Sequence, residues 1–179
     1  MFATILLPNF YLQAIVRHQP ALVEQPLAVL DDTATKAAVL QLNEAAEIAG
    51  VRAGMAPSQA LARCLHLAIK ARARESERQV SDILLHHAFT LSPSVEATGP
   101  GVCTVAFRHD RQLQKKLEYL INLLASCNLR AQAGLAPNPD TSFLAAHLAA
   151  PVLQVTEISD FLASLPIETL RFDHAGGLM

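Results

Sequence analysis

The residues of this chain that could do chemistry are few, and most are wrongly spaced for it. Asp31 and Asp32 stand side by side and could be read as a metal-binding pair. They fall in a threonine-rich stretch, DDTAT, where aspartate is at home as a local hydrogen-bond acceptor, so the turn reading is preferred. Glu96 and Asp110 flank an apolar segment, GVCTVAF, and Asp110 also has the position of a helix N-cap. His86 and His87 are neighbours, so on a helix they point to different sides and cannot grip one ion as an i, i+4 pair would. Ser58, Ser81, Ser92 and Ser94 have no G-x-S-x-G surroundings, which leaves a hydrolase nucleophile unsupported. Cys64, Cys103 and Cys127 are far apart, without a C-x-x-C pair, and read as reduced thiols of a cytoplasmic protein. One basic run, KARARESER, carries Lys70, Arg72, Arg74 and Arg78. It could touch a phosphate backbone weakly, but Glu75 and Glu77 are interleaved, so it reads first as a solvated face.

The totals narrow the classes further. Hydrophobic residues make up 51% of the 179 positions and charged residues 17%, enough for a sizeable core and too apolar for a disordered chain. No run approaches the length of a membrane span, and the polar PNFYLQ that follows the first apolar residues argues against a signal peptide. A formal net charge of −2 lacks the cationic excess by which a protein holds nucleic acid alone, so DNA binding by the chain itself is expected to be weak.

The elements that must position these residues follow from periodicity and punctuation. ATILL reads as a strand and NFYLQAIVRHQP as a helix. PLAVL and KAAVLQL read as two strands about the DDTAT turn, followed by a short helix, NEAAEIAG, stopped by Gly50, and another, APSQALARC, with Pro57 in its first turn. A long helix then places Val80, Ile83, Leu84, His87, Ala88 and Leu91 on one face, with its charges at the N-terminal end. After the GVCTVAF strand, DRQLQKKLEYLINLLASC has a core stripe of Leu113, Leu117, Leu120 and Leu124. LRAQAGLA is a strand, NPDTSFLAAHLAA a helix capped by Asn138 with Pro139 at its first position, and PVLQV a last strand. In TEISDFLASLP, Ile158, Phe161, Leu162 and Leu165 are expected to face inward. The order predicts an α+β fold: a ferredoxin-like sheet with helices on one face, interrupted after its first strand by a small helix-rich insertion.

Six segments, in this order, resemble the Y-family (UmuC-like) translesion DNA polymerases. They are NFYLQAIVRHQP, PLAVL, NEAAEIAGVRAGMAPSQALARCLHL, LSPSVEATGPGVCTVAF, AQAGLAPNPDTSFLAAHLAA and ISDFLASLPIETL, and GVRAGM with the short helix after it is the most specific. The resemblance implies a palm over 1–9 and 72–166, fingers over 10–71, and the start of a missing thumb or tail at 167–179. It also implies where the carboxylates of two-metal phosphoryl transfer would stand. Carried over residue by residue, these are Leu6 and Pro8 in the first strand and Gly101 and Val102 at the palm strand, none of which can ligate a metal. The nucleotide-holding positions fall on Tyr11, Glu44, Glu47 and Ser142. Glutamates at 44 and 47 would set negative charge against a triphosphate, at roughly 1 kcal/mol or more per close pair.

This pattern of loss most resembles the inactive ImuB branch of the family, whose members act as adaptors in bacterial SOS mutagenesis. On that reading the chain is not an enzyme, takes no cofactor or metal, and works in the cytoplasm. Its implied partners are a RecA-like protein, the sliding clamp and an error-prone polymerase. Two alternatives stay open: a weakly active nucleotidyltransferase using displaced carboxylates such as Glu96 and Asp110, or a truncated remnant without a function of its own.

Overall fold

The computed structural model describes residues 1–31, 37–108 and 112–166. The chain divides into two compact units, one of Met1–Pro8 with Gln79–Met179 and one of Asn9–Arg78. Residues 72–78, expected with the sheet-bearing unit, group with the insertion instead.

The first unit is built around β1 (Phe2–Leu6), which pairs on one side with β6 (Val102–Ala106) and on the other with β7 (Gln132–Ala136), both antiparallel. Adding β5 (Val95–Gly99) and β8 (Val152–Gln154) gives a five-stranded sheet of order β5-β6-β1-β7-β8, in which only the β7–β8 pair is parallel. With α4 (Arg74–Phe89) between β1 and β5, and α5 (Leu113–Ser126) between β6 and β7, the first four strands have the ferredoxin-like β-α-β-β-α-β order. The α+β expectation therefore holds.

Both faces of the sheet's centre are buried. Ala3, Ile5, Cys103, Val105 and Ala133 are fully buried on one face, and Thr4, Leu6, Val102 and Thr104 are buried on the other. The latter face carries α6 (Pro139–Leu148), which lies so close to β7 that a Cβ built on Gly134 would stand 2.2 Å from the Ser142 carbonyl and the Ala146 nitrogen. Leu117, Leu120 and Leu124 of α5 are buried as the leucine stripe predicts, and Asn138 Oδ1 accepts from the Thr141 N–H to cap α6.

Three details differ from expectation. α5 starts after Gln112, which takes a left-handed φ of 66°, so Asp110 is not its N-cap; Asp110 itself lies outside the described residues. β5 was not legible, because four of its five residues are exposed and show no apolar alternation. α7 (Ile158–Ala163) buries none of its residues, and Leu162, expected inside, is 44% exposed.

The second unit holds α1 (Phe10–Val16), α2 (Glu44–Ile48), α3 (Pro57–Arg63) and its own sheet of order β3-β2-β4. Its strands are β2 (Leu27–Asp31), β3 (Ala38–Leu42) and β4 (Ala68–Ala71). Asn43 ties it together: its Oδ1 accepts from Ala46 N–H as the α2 cap and from Leu27 N–H of β2, while its Nδ2 donates to the Gln25 carbonyl. Gly50, at φ 87°, ends α2 as predicted.

Gly134→Ala is expected to destabilise the protein by about 3 kcal/mol, since the methyl meets helix backbone and not a movable side chain. Urea unfolding checks this through a lowered midpoint at unchanged slope.

Candidate functional site: the palm face and the Tyr11 cluster

The structure brings together the four positions at which the resemblance places metal ligands. Leu6 is the register partner of Val102, and the Leu7 N–H donates to the Gly101 carbonyl at 2.8 Å, with Pro8 next in the chain. Ser142 also reaches this face, bonded to Thr4 two residues before Leu6. The side chains there are apolar: Leu6, Val102 and Ala146 form a buried cluster with the half-buried Phe143 against it. No oxygen ligand stands at these positions, and no group of three or more His, Cys, Asp or Glu side chains suited to a metal occurs among the described residues. A divalent ion at this place therefore does not fit the residues present, and no step is assigned through one.

Beside the apolar cluster runs a ladder of hydroxyls that sequence reasoning missed. Ser142 Oγ donates to the Pro139 carbonyl at 2.7 Å, so it accepts from Thr4 Oγ1 at 2.8 Å; Thr4 in turn accepts from Thr104 at 3.2 Å and Thr104 from Thr98 at 2.8 Å. One proton per hydroxyl sets this direction as far as Thr98, whose hydroxyl also lies 3.5 Å from the Glu96 carbonyl. Thr4 and Ser142 are fully buried, where an unpaired hydroxyl would cost 1–3 kcal/mol, so the ladder is what makes these polar groups tolerable in the core. Its signal in the sequence was only threonine in place of an aliphatic residue within three strands, and one serine in a helix.

In the insertion unit, Tyr11 is buried and held from several sides. Gln41 Oε1 accepts from the N–H groups of Tyr11 and Leu12 at 3.0 and 3.3 Å, replacing the side-chain cap that Asn9 does not provide. Phe10 meets the Tyr11 ring edge-on with centroids 5.3 Å apart, and the Arg72 guanidinium lies 4.4 Å from the ring centre. Arg72 is in turn gripped by Glu77 through two bonds, Nε to Oε1 at 3.0 Å and Nη2 to Oε2 at 2.5 Å. Their side chains are 15% and 8% exposed, and the Glu77 hydrogen bond raises the Arg72 pKa above its ordinary value against the opposing effect of burial. Arg72 and Glu77 are therefore not part of a solvated face, and Arg72 is held by contacts within the unit. Arg78 pairs with Glu75 at the surface, Lys70 is half-buried on β4, and Arg74 is exposed at the start of α4.

Glu44 and Glu47 are exposed in the first turn of α2, where their charge suits the helix N-terminus. Asp31 ends β2, and Asp32 lies outside the described residues. His86 and His87 meet edge to face at 5.5 Å without sharing a ligand geometry. All three cysteines are free, and burial pushes the Cys103 thiol up to about 12, which makes it unreactive. Glu96 is exposed on β5, in register with Thr104.

The sheet order and the insertion after its first strand define the palm and fingers of the Y-family DNA polymerase fold. The structure matches an insertion ternary complex of Dbh DNA polymerase with a TM-score of 0.82, at 18% identity over 94% of this chain and 53% of that one. It matches DinB from Sulfolobus solfataricus with a TM-score of 0.80, again at 18% identity, over 94% of this chain and 52% of that one. Residues 5–147 match the impB/mucB/samB family, and the chain belongs to that family. A curated relative, DNA polymerase IV of Pectobacterium atrosepticum, is 26% identical over 170 residues, covering 90% of this chain and 48% of that protein. The chain thus spans about half the length of the relatives it matches.

These likenesses correct the expectation that the chain is not an enzyme. The curated relative is named a DNA polymerase, and solved neighbours are DNA polymerases, one of them a ternary complex. The side chains at Leu6, Pro8, Gly101 and Val102 say which ligands those positions lack; they are not evidence of inactivity. No helix among the described residues is long and apolar enough to cross a membrane.

Two outcomes follow from the geometry. Arg72→Met leaves Glu77 buried without its partner and is expected to cost about 3 kcal/mol, most of it recovered in Arg72→Met/Glu77→Leu, as read by chemical denaturation. Burial also lowers the pKa of His147, whose ring meets Phe143 edge-on. Because the folded state disfavours its charged form, stability is complete above the ordinary imidazole value of 6.5 and falls as pH drops below it. His147→Gln should flatten that slope in unfolding midpoints taken across the range.

Proposed function

We infer that this chain works in translesion DNA synthesis within bacterial DNA-damage tolerance, as the palm and fingers of a Y-family-type polymerase acting on a primed template. The observation that carries the reading is the shared architecture: a five-stranded palm sheet, interrupted after its first strand by a fingers unit, matching a polymerase ternary complex over 94% of the chain. The reaction would join a deoxynucleotide to the primer 3′ hydroxyl with loss of pyrophosphate.

The chain's own residues contribute shape before chemistry. The hydroxyl ladder and the Gly134 contact hold α6 on the palm face. The Gln41 and Arg72 contacts hold Tyr11 in one orientation. With a net charge of −2 the chain grips DNA weakly by itself, which favours work in company. The sliding clamp, a RecA-like protein and an error-prone polymerase are the partners proposed, and the cytoplasm the place.

Single-turnover primer extension tests the reading, with chain and primed template at micromolar concentration in Mg²⁺ and then Mn²⁺. Extension by the unmodified chain is expected to be slow but above that of a mock preparation. A Leu6→Asp/Val102→Glu variant, its fold checked by circular dichroism, places carboxylates at two positions in register and should raise the rate at least ~10-fold, equivalent to ~1.4 kcal/mol of barrier. No extension by either protein with either ion would overturn the polymerase reading.

A further inference from the structure

The palm unit carries a cleft of about 660 Å³ beside α6, lined in part by Thr98 and Thr104 of the hydroxyl ladder and by Phe143. Its rim holds two exposed carboxylates, Glu96 on β5 and Asp140 in the first turn of α6, and its walls include Phe143, Leu144 and Leu162. Leu162 is 44% exposed on α7, a helix that buries none of its own residues, so among the described residues this apolar side chain at the cleft is only partly covered. Thr141, which also lines the cleft, is only 5% exposed, and its N–H is taken by Asn138.

We propose that this cleft is a docking site for a peptide segment of a partner protein in which basic residues alternate with apolar ones. Charge decides against nucleic acid: phosphates brought to Glu96 and Asp140 would meet like charge, whereas a guanidinium or ammonium group gains a charge-assisted bond at either carboxylate. The apolar walls between the carboxylates take a leucine-sized side chain out of water. An extended peptide satisfies both requirements, since its alternate side chains point to opposite sides and can be sorted between rim and wall. The cleft belongs to the palm unit alone; Phe143 on its wall also packs against the Leu6 cluster, and the test below reads peptide binding and not primer extension.

The test is a titration of the whole chain, followed by amide and methyl NMR, with an acetylated pentapeptide alternating leucine and arginine. The expected result is saturable shifts confined to the cleft, at Thr98, Thr141, Phe143, Leu144 and Leu162. Affinity should fall about fivefold in Glu96→Gln/Asp140→Asn, as two exposed charge pairs would give. Both substitutions are at exposed positions, so the fold is retained, and Leu162→Ser offers an independent second variant that should also weaken binding. The proposal is overturned by any of four results. These are no saturable shift, shifts outside the cleft, equal binding by a leucine–glutamate peptide, or the same shifts from a short oligothymidylate.

Discussion

The pairing of β1 on both edges is the constraint on which the sheet unit depends. A strand of five residues with a neighbour on each side has no backbone group to spare, and each of its side chains must be accommodated between sheet and helix. Its register with β6 sets Leu6 against Val102 and Thr4 against Thr104, and its register with β7 sets Thr4 against Gly134. A shift of one residue would exchange the faces, bringing Ala3 and Ile5 under α6 and the hydroxyls into the opposite core.

That register also explains the chemical character of the palm face. Gly134 lets the backbone of α6 approach the sheet, and the short distance leaves room only for small or flat partners: Thr4, Ser142 and Ala146. Where hydroxyls are buried they are satisfied in a single directed chain, and where there is no hydroxyl the contact is aliphatic. The ligand-free positions are thus well packed. Apolar contacts fill them, and the local stability they provide is what any restored carboxylate would have to overcome.

In the insertion unit, order around Tyr11 comes from a different balance. A buried arginine and glutamate are tolerable because their geometry is bidentate, and the guanidinium face left over is used on an aromatic ring. Pairing within the protein consumes the one strongly placed cation of the basic run. Arg72 and Glu77 of that run thus belong to the unit's interior, while Arg74, Glu75 and Arg78 stay exposed as a solvated face would be.

Much of the architecture was legible from residues close in sequence. The leucine stripe of α5, the Asn138–Pro139 start of α6 and the glycine that ends α2 all depend on neighbours within a turn or two, and each was found where the pattern put it. The family, too, was readable from the order of its segments. Other features depend on residues far apart in the chain. β5 is a strand because β6 pairs with it, though its own residues are exposed and polar. Thr4 and Ser142 become partners across 138 residues, and Gln41 caps a helix that begins 31 residues before it. Arg72 turns inward because Tyr11 and Glu77 wait for it. Local sequence determined which elements form, because helix caps, stripes and turns are short-range interactions. Only the tertiary structure decided which side chains meet, because that follows from strand register and packing distance, which no single segment contains.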